Sequence, residues 1–471
     1  MPHSIFVALL TVVSLAGVIP LGPRPAARPG EKFPFTWAQE LEALPISEVD
    51  AVEALHIDGT GCGRPLTLTV MSNPCSVGLF GGGCVESVMG ADVAGKFRGE
   101  LLDADGHVYM EPGALAEFAR ELGGALAQDF YKRQVESQEF AASRANNRAE
   151  LWSTKGLSAL GAYDAEERRE ALDLMGVKAQ LAFPNTGSAE LRIDSDAARR
   201  ACHVYNDFAI DWTRNAGRRA RAVAQINMSN PEWAVAELER VLKEGALAVT
   251  LPCHRPPAGV SPAHSMWDPF WARLEEANVP ATLHLGASGL LSCRNPGDEM
   301  FPEFGWGESE TLRRKPAERG GGEEAISPYF MLVAHVGPEV FLQTMVMGKV
   351  FERFPRLRFG IIELSAEWVG AAAERMDSWT EFMAKVGVTY EMKPSEFLKR
   401  NVRVTPFWHE DLPRIIDRYG LEDVWVFSTD YPHLEGSRDP IGKFRKHLDK
   451  LPEGYDQRFF VENNRLLFPD A

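Results

Sequence analysis

Four short stretches of the chain hold side chains able to share one metal ion. The first, Asp103-Ala104-Asp105-Gly106-His107, sets Asp105 and His107 two residues apart, so a strand presents both on one face. Thr282-Leu283-His284-Leu285-Gly286 carries one imidazole in an apolar run. Glu363-Leu364-Ser365 ends another apolar run with a carboxylate, and Ser428-Thr429-Asp430-Tyr431-Pro432-His433 ends a fourth with a carboxylate and an imidazole. Taken alone, each signal is weak: a single buried His is more often a hydrogen-bonded core residue than a ligand, and an Asp at a strand end commonly caps a turn. Together they offer imidazole nitrogens and carboxylate oxygens, donors suited to Zn²⁺, Mn²⁺ or Fe²⁺. Such an ion activates water or polarises a substrate oxygen.

One architecture brings distant strand ends to one point. From about residue 100, short apolar runs alternate with helical patterns, as in βαβ units. The runs at 101–109, 178–184, 222–228, 246–252, 281–286, 358–365, 402–407 and 424–430 predict eight strands. Helical patterns lie at 112–122, 164–174, 196–216, 231–244, 268–277, 328–354, 367–386 and 411–419. Asn230-Pro231 and Asp268-Pro269 read as helix starts, a capping residue before a first-turn proline. Eight alternations predict a (β/α)₈ barrel over 100–471, whose active site forms where the strands end. An open doubly wound sheet is the competing architecture. Its dinucleotide-binding form carries a Gly-rich first turn, and Asp105-Gly106-His107 is no such fingerprint.

Residues 1–99 read as a loop-rich N-terminal extension. Gly81-Gly82-Gly83 lacks the following Gly-Lys-Ser/Thr of a phosphate loop. The apolar stretch 5–21 has no Lys or Arg before it, which counts against a secretory signal. Six cysteines without a Cys-x-x-Cys pair suit reduced thiols, and the chain is read as cytoplasmic. A net charge of −16 argues against a nucleic-acid partner and leaves a small-molecule substrate, with a homodimer and no membrane association as the expected state. The 287–327 stretch is the longest gap. Its Phe301, Phe304 and Trp306, with the glycines 320–322, predict a lid over the mouth of the barrel, with a surface insertion as the alternative.

The spans from Asp103 to Pro112, 282–286 and 428–433 resemble the amidohydrolase-related family, which includes aminocarboxymuconate-semialdehyde decarboxylase and the hydroxybenzoate-type decarboxylases. Phe183-Pro184, Tyr205-Asn206-Asp207, Trp267-Asp-Pro-Phe-Trp271 and Phe351-Glu-Arg-Phe-Pro355 add to the likeness. The resemblance implies Asp105, His107, His284 and Asp430 as ligands of one divalent ion, zinc first, with manganese or iron as alternatives. Two departures stand out. Asp105 replaces a His or Glu, and Glu363 stands where many members have a proton-transferring His. Asp430 and Glu363 are therefore the expected acid–base residues. His254, Trp408, His409 and Trp306 are the expected substrate contacts, and His335 is read as a helix-face residue. The implied reactions are non-oxidative decarboxylation of a small carboxylated or aromatic substrate, or metal-assisted hydrolysis of an amide, ester or lactone. A barrel that binds a ligand without catalysis is the third reading.

Overall fold

The computed structural model describes residues 56–61, 64–69, 95–122, 144–185, 193–253, 255–285, 309–313, 328–433 and 436–471. The chain divides into two compact units, Met1–Met89 and Gly90–Ala471. In the first, His56–Gly61 and Arg64–Thr69 form an antiparallel hairpin. The loop-rich reading of this region did not single out a hairpin. The alternation Leu66-Thr67-Leu68-Thr69, typical of a strand, was the available signal.

The second unit holds the barrel. Its strands are β1 (Leu101–Val108), β2 (Val177–Pro184), β3 (Ala220–Ala222 continued by Ala224–Gln225), β4 (Val249–Thr250), β5 (Ala281–His284), β6 (Phe359–Ile362), β7 (Val402–Val404) and β8 (residues 424–431). Each pairs in parallel with the next. The two parts of β3 are one strand: Val223 N donates to Ala182 O at 2.9 Å, and Ala224 N to Ala248 O at 3.0 Å. β8 closes the ring. On one side Val404 N donates to Val424 O and Val426 N to Val404 O. On the other, Ala104 N donates to Phe427 O and His107 N to Tyr431 O. The result is the predicted eight-stranded (β/α)₈ barrel, with β3 starting two residues earlier than its apolar run indicates.

Two apolar cores follow from the alternation of strand residues. Leu102, Ala104, Leu181, Phe183, Val223, Ala248, Ile362 and Val426 fill the barrel interior, joined by Leu467 and Phe468 from the C-terminal segment. The larger core lies between the strands and the helices. The helices Ala165–Met175, Asp196–Asn215 and Pro231–Glu244 follow the predicted patterns closely. Asn230 caps the last of these by accepting from Trp233 N at 2.9 Å. Asp268 is not a cap. It lies in the first turn of Asp268–Ala277 and pairs with Arg353 at 3.0 Å. The run at 328–354 is broken into Pro328–Val333, Val336–Met347 and Val350–Arg353, the last entered through Lys349 in the left-handed conformation. Among the described residues no helix is long and apolar enough to cross a membrane.

Candidate active site

The ends of β1, β5, β6 and β8 bring the chemistry together. Along β1 the ladder to β2 shifts register between Asp103 and Gly106. This bulge changes the phase of the strand. Asp103 points outward to Gln180, while Asp105 and His107 both reach the mouth, where they lie 3.3 Å and 5.0 Å (between rings) from His284. Gly106 sits between them, tight against the wall: a Cβ there would lie 2.5 Å from Gln180 Nε2 and 2.9 Å from Tyr431 O.

Ligand atoms of Asp105, His107, His284 and Glu363 all lie within 4.8 Å of one another, and all four residues are buried. A second, overlapping group joins His107 and Glu363 to Asp430 and His433. His284 Nε2 stands 3.3 Å from Asp105 Oδ1 and 3.4 Å from Glu363 Oε2. His107 Nε2 stands 3.2 Å from Asp430 Oδ1 and 3.9 Å from Glu363 Oε2. The ring of His433 stacks on His107 at 3.4 Å, and its Nδ1 is 3.1 Å from Asp430 Oδ1.

The electrostatics of the group call for a cation. Burial takes His284 down to about 4, so its ring is neutral near pH 7. Its Nδ1 lies 2.7 Å from Leu285 O, an acceptor only, which fixes the proton on that nitrogen. Nε2 then faces the Asp105 oxygen with a lone pair, a contact that needs either a proton on Asp105 or a cation between the two. His107 is also held well below its ordinary value, by burial and by His433. Both of its ring nitrogens and Asp430 Oδ1 lack a well-aligned hydrogen bond, although Nε2 and Oδ1 stand 3.2 Å apart. Burial, with Asp430 and Asp103 nearby, raises Asp105 well above the usual carboxylate range. Burial pushes Asp430 the same way, but His433 and His107 outweigh it and keep that carboxyl ionised. Buried polar atoms left unpaired in this way are rare. A divalent ion among them would pair the lone pairs and the carboxylates at once, so the residues present fit such an ion.

Strain marks the same place. Glu363, Ser365 and Asp430 all adopt positive φ (58°, 65° and 55°). Non-glycine residues hold such conformations only where their surroundings over-determine them. Here Glu363 N donates to Thr405 Oγ1 at 2.8 Å, and Asp430 N to Asp105 O at 2.9 Å. The buried Glu410 carboxylate accepts from Ser365 Oγ, the backbone N of Ala366 and Glu367, and Phe407 N, which ties the end of β6 to the loop after β7.

The structure brings Asp105, His107, His284, Glu363 and Asp430 together as expected. It also gives Glu363 the place in the tight quartet that the resemblance implied for Asp430. Trp408 lines the cleft beside Asp105, Glu363 and Asp430. His409 is exposed, its ring stacked on Phe407, and does not line that cleft. His335 precedes Val336–Met347, stacks on Trp368 and does not line that cleft. His254, Trp306, and the Phe301, Phe304 and glycine positions of the expected lid lie outside the described residues. Two further site residues carried weaker sequence signals. His433 was legible only as a His three residues after Asp430, and Asp103 only as the first carboxylate of its motif.

The sequence model of the amidohydrolase family matches residues 91–469, and the chain belongs to that family of metal-dependent enzymes. Over 127 residues it is 29% identical to a gamma-resorcylate decarboxylase from Polaromonas sp. (strain JS666); the match spans 26% of this chain and 39% of that relative, under two thirds of its length. Solved structures share the fold. An amidohydrolase from Mycobacterium avium subsp. paratuberculosis superposes with a TM-score of 0.52 at 23% identity, covering 64% of this chain and 73% of its own. The 5-carboxyvanillate decarboxylase of Sphingomonas paucimobilis gives 0.52 at 16% identity, covering 79% and 99%. That of Novosphingobium aromaticivorans, complexed with manganese and 4-hydroxy-3-methoxy-5-nitrobenzoic acid, gives 0.52 at 17%, covering 79% and 96%.

Proposed function

We propose that the protein is a metal-dependent carboxy-lyase that removes CO₂ from a small aromatic or cyclic carboxylate. The observation that carries the metal site is the facing of His284 Nε2 and Asp105 Oδ1 at 3.3 Å, with the other nitrogen of His284 committed to Leu285 O. Asp105, His107, His284 and Glu363 would hold the ion, with Asp430 beside them. When bound, the ion polarises a substrate oxygen and draws electron density from the ring. The decarboxylase activity is supported by the partial likeness to gamma-resorcylate decarboxylase and by the fold shared with the carboxyvanillate enzymes. Carboxylate-rich donors suit Mn²⁺ as well as Zn²⁺, and the manganese of the Novosphingobium structure makes it the ion to test beside zinc.

The chain's own residues have separable tasks. Trp408, on the cleft wall with the Lys443 ammonium over its ring, offers an aromatic surface to the substrate. Asp430 and His433, 3.1 Å apart, form a carboxylate–imidazole pair able to pass a proton to the ring carbon that loses CO₂. Glu363, assigned to the ion, gives up the acid role expected of it. The ionised Asp430 also favours a second reading, hydrolysis, in which it takes a proton from attacking water. The test is to load metal-stripped protein with Mn²⁺ or Zn²⁺ and offer hydroxybenzoates, a carboxyvanillate and a panel of lactones, esters and amides. Release of CO₂ from an aromatic acid is expected. Turnover of the hydrolytic panel alone would transfer the assignment to a hydrolase.

A further inference from the structure

We propose that Arg168, Gln180 and Asp103 act as a positioning relay behind the barrel wall, fixing the backbone that carries the metal ligands. This rests on the metal-site reading above. None of the three faces the cleft. Arg168, on the helix Ala165–Met175, is fully buried and flanked by the rings of Tyr431 and Trp212. Its Nη2 donates to His107 O at 2.6 Å, its Nε to Gly161 O at 2.8 Å and its Nη1 to Gln180 Oε1 at 2.8 Å. Gln180 Nε2 then donates to Asp103 Oδ2 at 2.7 Å. Asp103 accepts three more bonds: from Asp105 N at 3.2 Å, Thr429 N at 2.9 Å and Thr429 Oγ1 at 2.7 Å.

The chemistry of the three positions is complementary in order. A guanidinium only donates and a carboxylate only accepts. The side chain between them must accept at one end and donate at the other, which an amide does and a carboxylate or ammonium does not. The backbone groups held by the relay belong to Asp105, His107 and Thr429, two of the candidate ligands themselves and the neighbour of Asp430. Gly106 allows Gln180 to come this close to β1. Residues that orient ligands without touching a metal typically change its affinity about 10–100-fold when altered.

Reversing the donor–acceptor order at Asp103 tests the relay. In Asp103→Asn the new amide turns a donor toward Gln180 Nε2 or toward Thr429 N. Adding Gln180→Glu restores the order, since the carboxylate this introduces accepts both from Arg168 and from the new amide. Metal-stripped wild type, D103N, D103N/Q180E and T429V would be titrated with Mn²⁺ and Zn²⁺ against a chromophoric chelator. The visible absorption of bound Co²⁺ would report ligand geometry, and circular dichroism would follow melting of the metal-free forms. D103N should weaken both metals about 10–100-fold and shift the Co²⁺ spectrum. The double variant should recover affinity and spectrum, and T429V, which loses one bond, should fall between. Wild-type affinity and spectrum in D103N would overturn the proposal. So would a double variant that regains melting temperature but not affinity. If D103N does not fold, unchanged affinity in T429V would count against it in the same way. Failure of wild-type protein to bind any of the three metals would instead remove the metal-site reading itself, and a His284→Ala control separates site binding from binding elsewhere.

Discussion

Among the described residues, two of the His–carboxylate clusters differ in how fully their polar atoms are paired. One is the group at the strand ends. The other joins the helices Asp196–Asn215 and Pro231–Glu244 on the outside, where Glu237 accepts from Arg240 at 2.7 and 2.9 Å and from Asn206 at 2.8 Å, with His203 Nδ1 at 3.1 Å. Asn206 also exchanges two hydrogen bonds with the backbone of Gln225, so the cluster anchors β3 to its helix. Residue types are nearly the same in the two places. On the outside each carboxylate oxygen meets donors, and the backbone is regular helix. At the strand ends imidazole nitrogens and carboxylates crowd together without a neutralising Arg or Lys among the described residues, and three residues hold positive φ. A His near acids is therefore informative only with its hydrogen-bond ledger.

The largest effect should separate the clusters outright. His284→Ala removes a ligand without touching the helices. If the ion supplies several kcal/mol of transition-state stabilisation, turnover should fall by about 10³-fold or more, and bound metal measured by atomic absorption should drop with it. His203→Ala should leave both unchanged. Equal loss in the two variants would erase the distinction.

Next is the ion's contribution to stability. A ligand that binds only the folded state at about 100 times its Kd stabilises by about 2.7 kcal/mol. Adding Mn²⁺ or Zn²⁺ to stripped wild type should raise Tm, and His284→Ala should abolish the rise while His203→Ala keeps it. A similar rise in His284→Ala would locate the ion elsewhere. Gly106→Ala ranks third. Its Cβ would meet Gln180 and the Tyr431 carbonyl, and overpacking of this kind costs about 1–3 kcal/mol. Thermal melting should show that cost even without metal, and metal affinity should also fall, because the displaced residue lies between Asp105 and His107.

Periodicity made the barrel legible. Seven of the eight apolar runs hold strands, and the eighth closes the ring through bridges at Trp425 and Tyr431. A buried parallel strand needs a continuous apolar stretch whatever its loops do. The convergence of Asp105, His107, His284, Glu363 and Asp430 followed from where those strands end. What the sequence concealed was local. The bulge in β1 is set by the closeness of Gln180 to Gly106, a contact between residues far apart in sequence. The roles of Asp103 and Asn206 depend on which backbone groups come within reach, and no spacing rule states that. His409 follows a strand like a site residue, yet a turn of the loop leaves it exposed on Phe407.

The smallest predicted effect tests the paired cluster by itself. Burial pushes the Glu237 carboxyl up, but hydrogen bonds from Arg240 and Asn206 outweigh this and hold it below its ordinary 4.5. A depressed folded value means that the ionised form stabilises the fold. That contribution is complete above the unfolded value and is lost as pH falls through the folded one. Glu237→Gln keeps the shape but removes the charge from bonds to Arg240, and a charge-assisted bond exceeds a neutral one by about 1 kcal/mol. The variant should therefore melt slightly lower than wild type at pH 7, with kcat and metal content unchanged. The gap should narrow as pH drops below about 4.5, where wild type loses the same charge. Melting curves from pH 7 to pH 3 read this directly. A gap that stays constant or widens in acid would mean that Glu237 is not held ionised by its partners, and that the outer cluster is no better paired than the one at the strand ends.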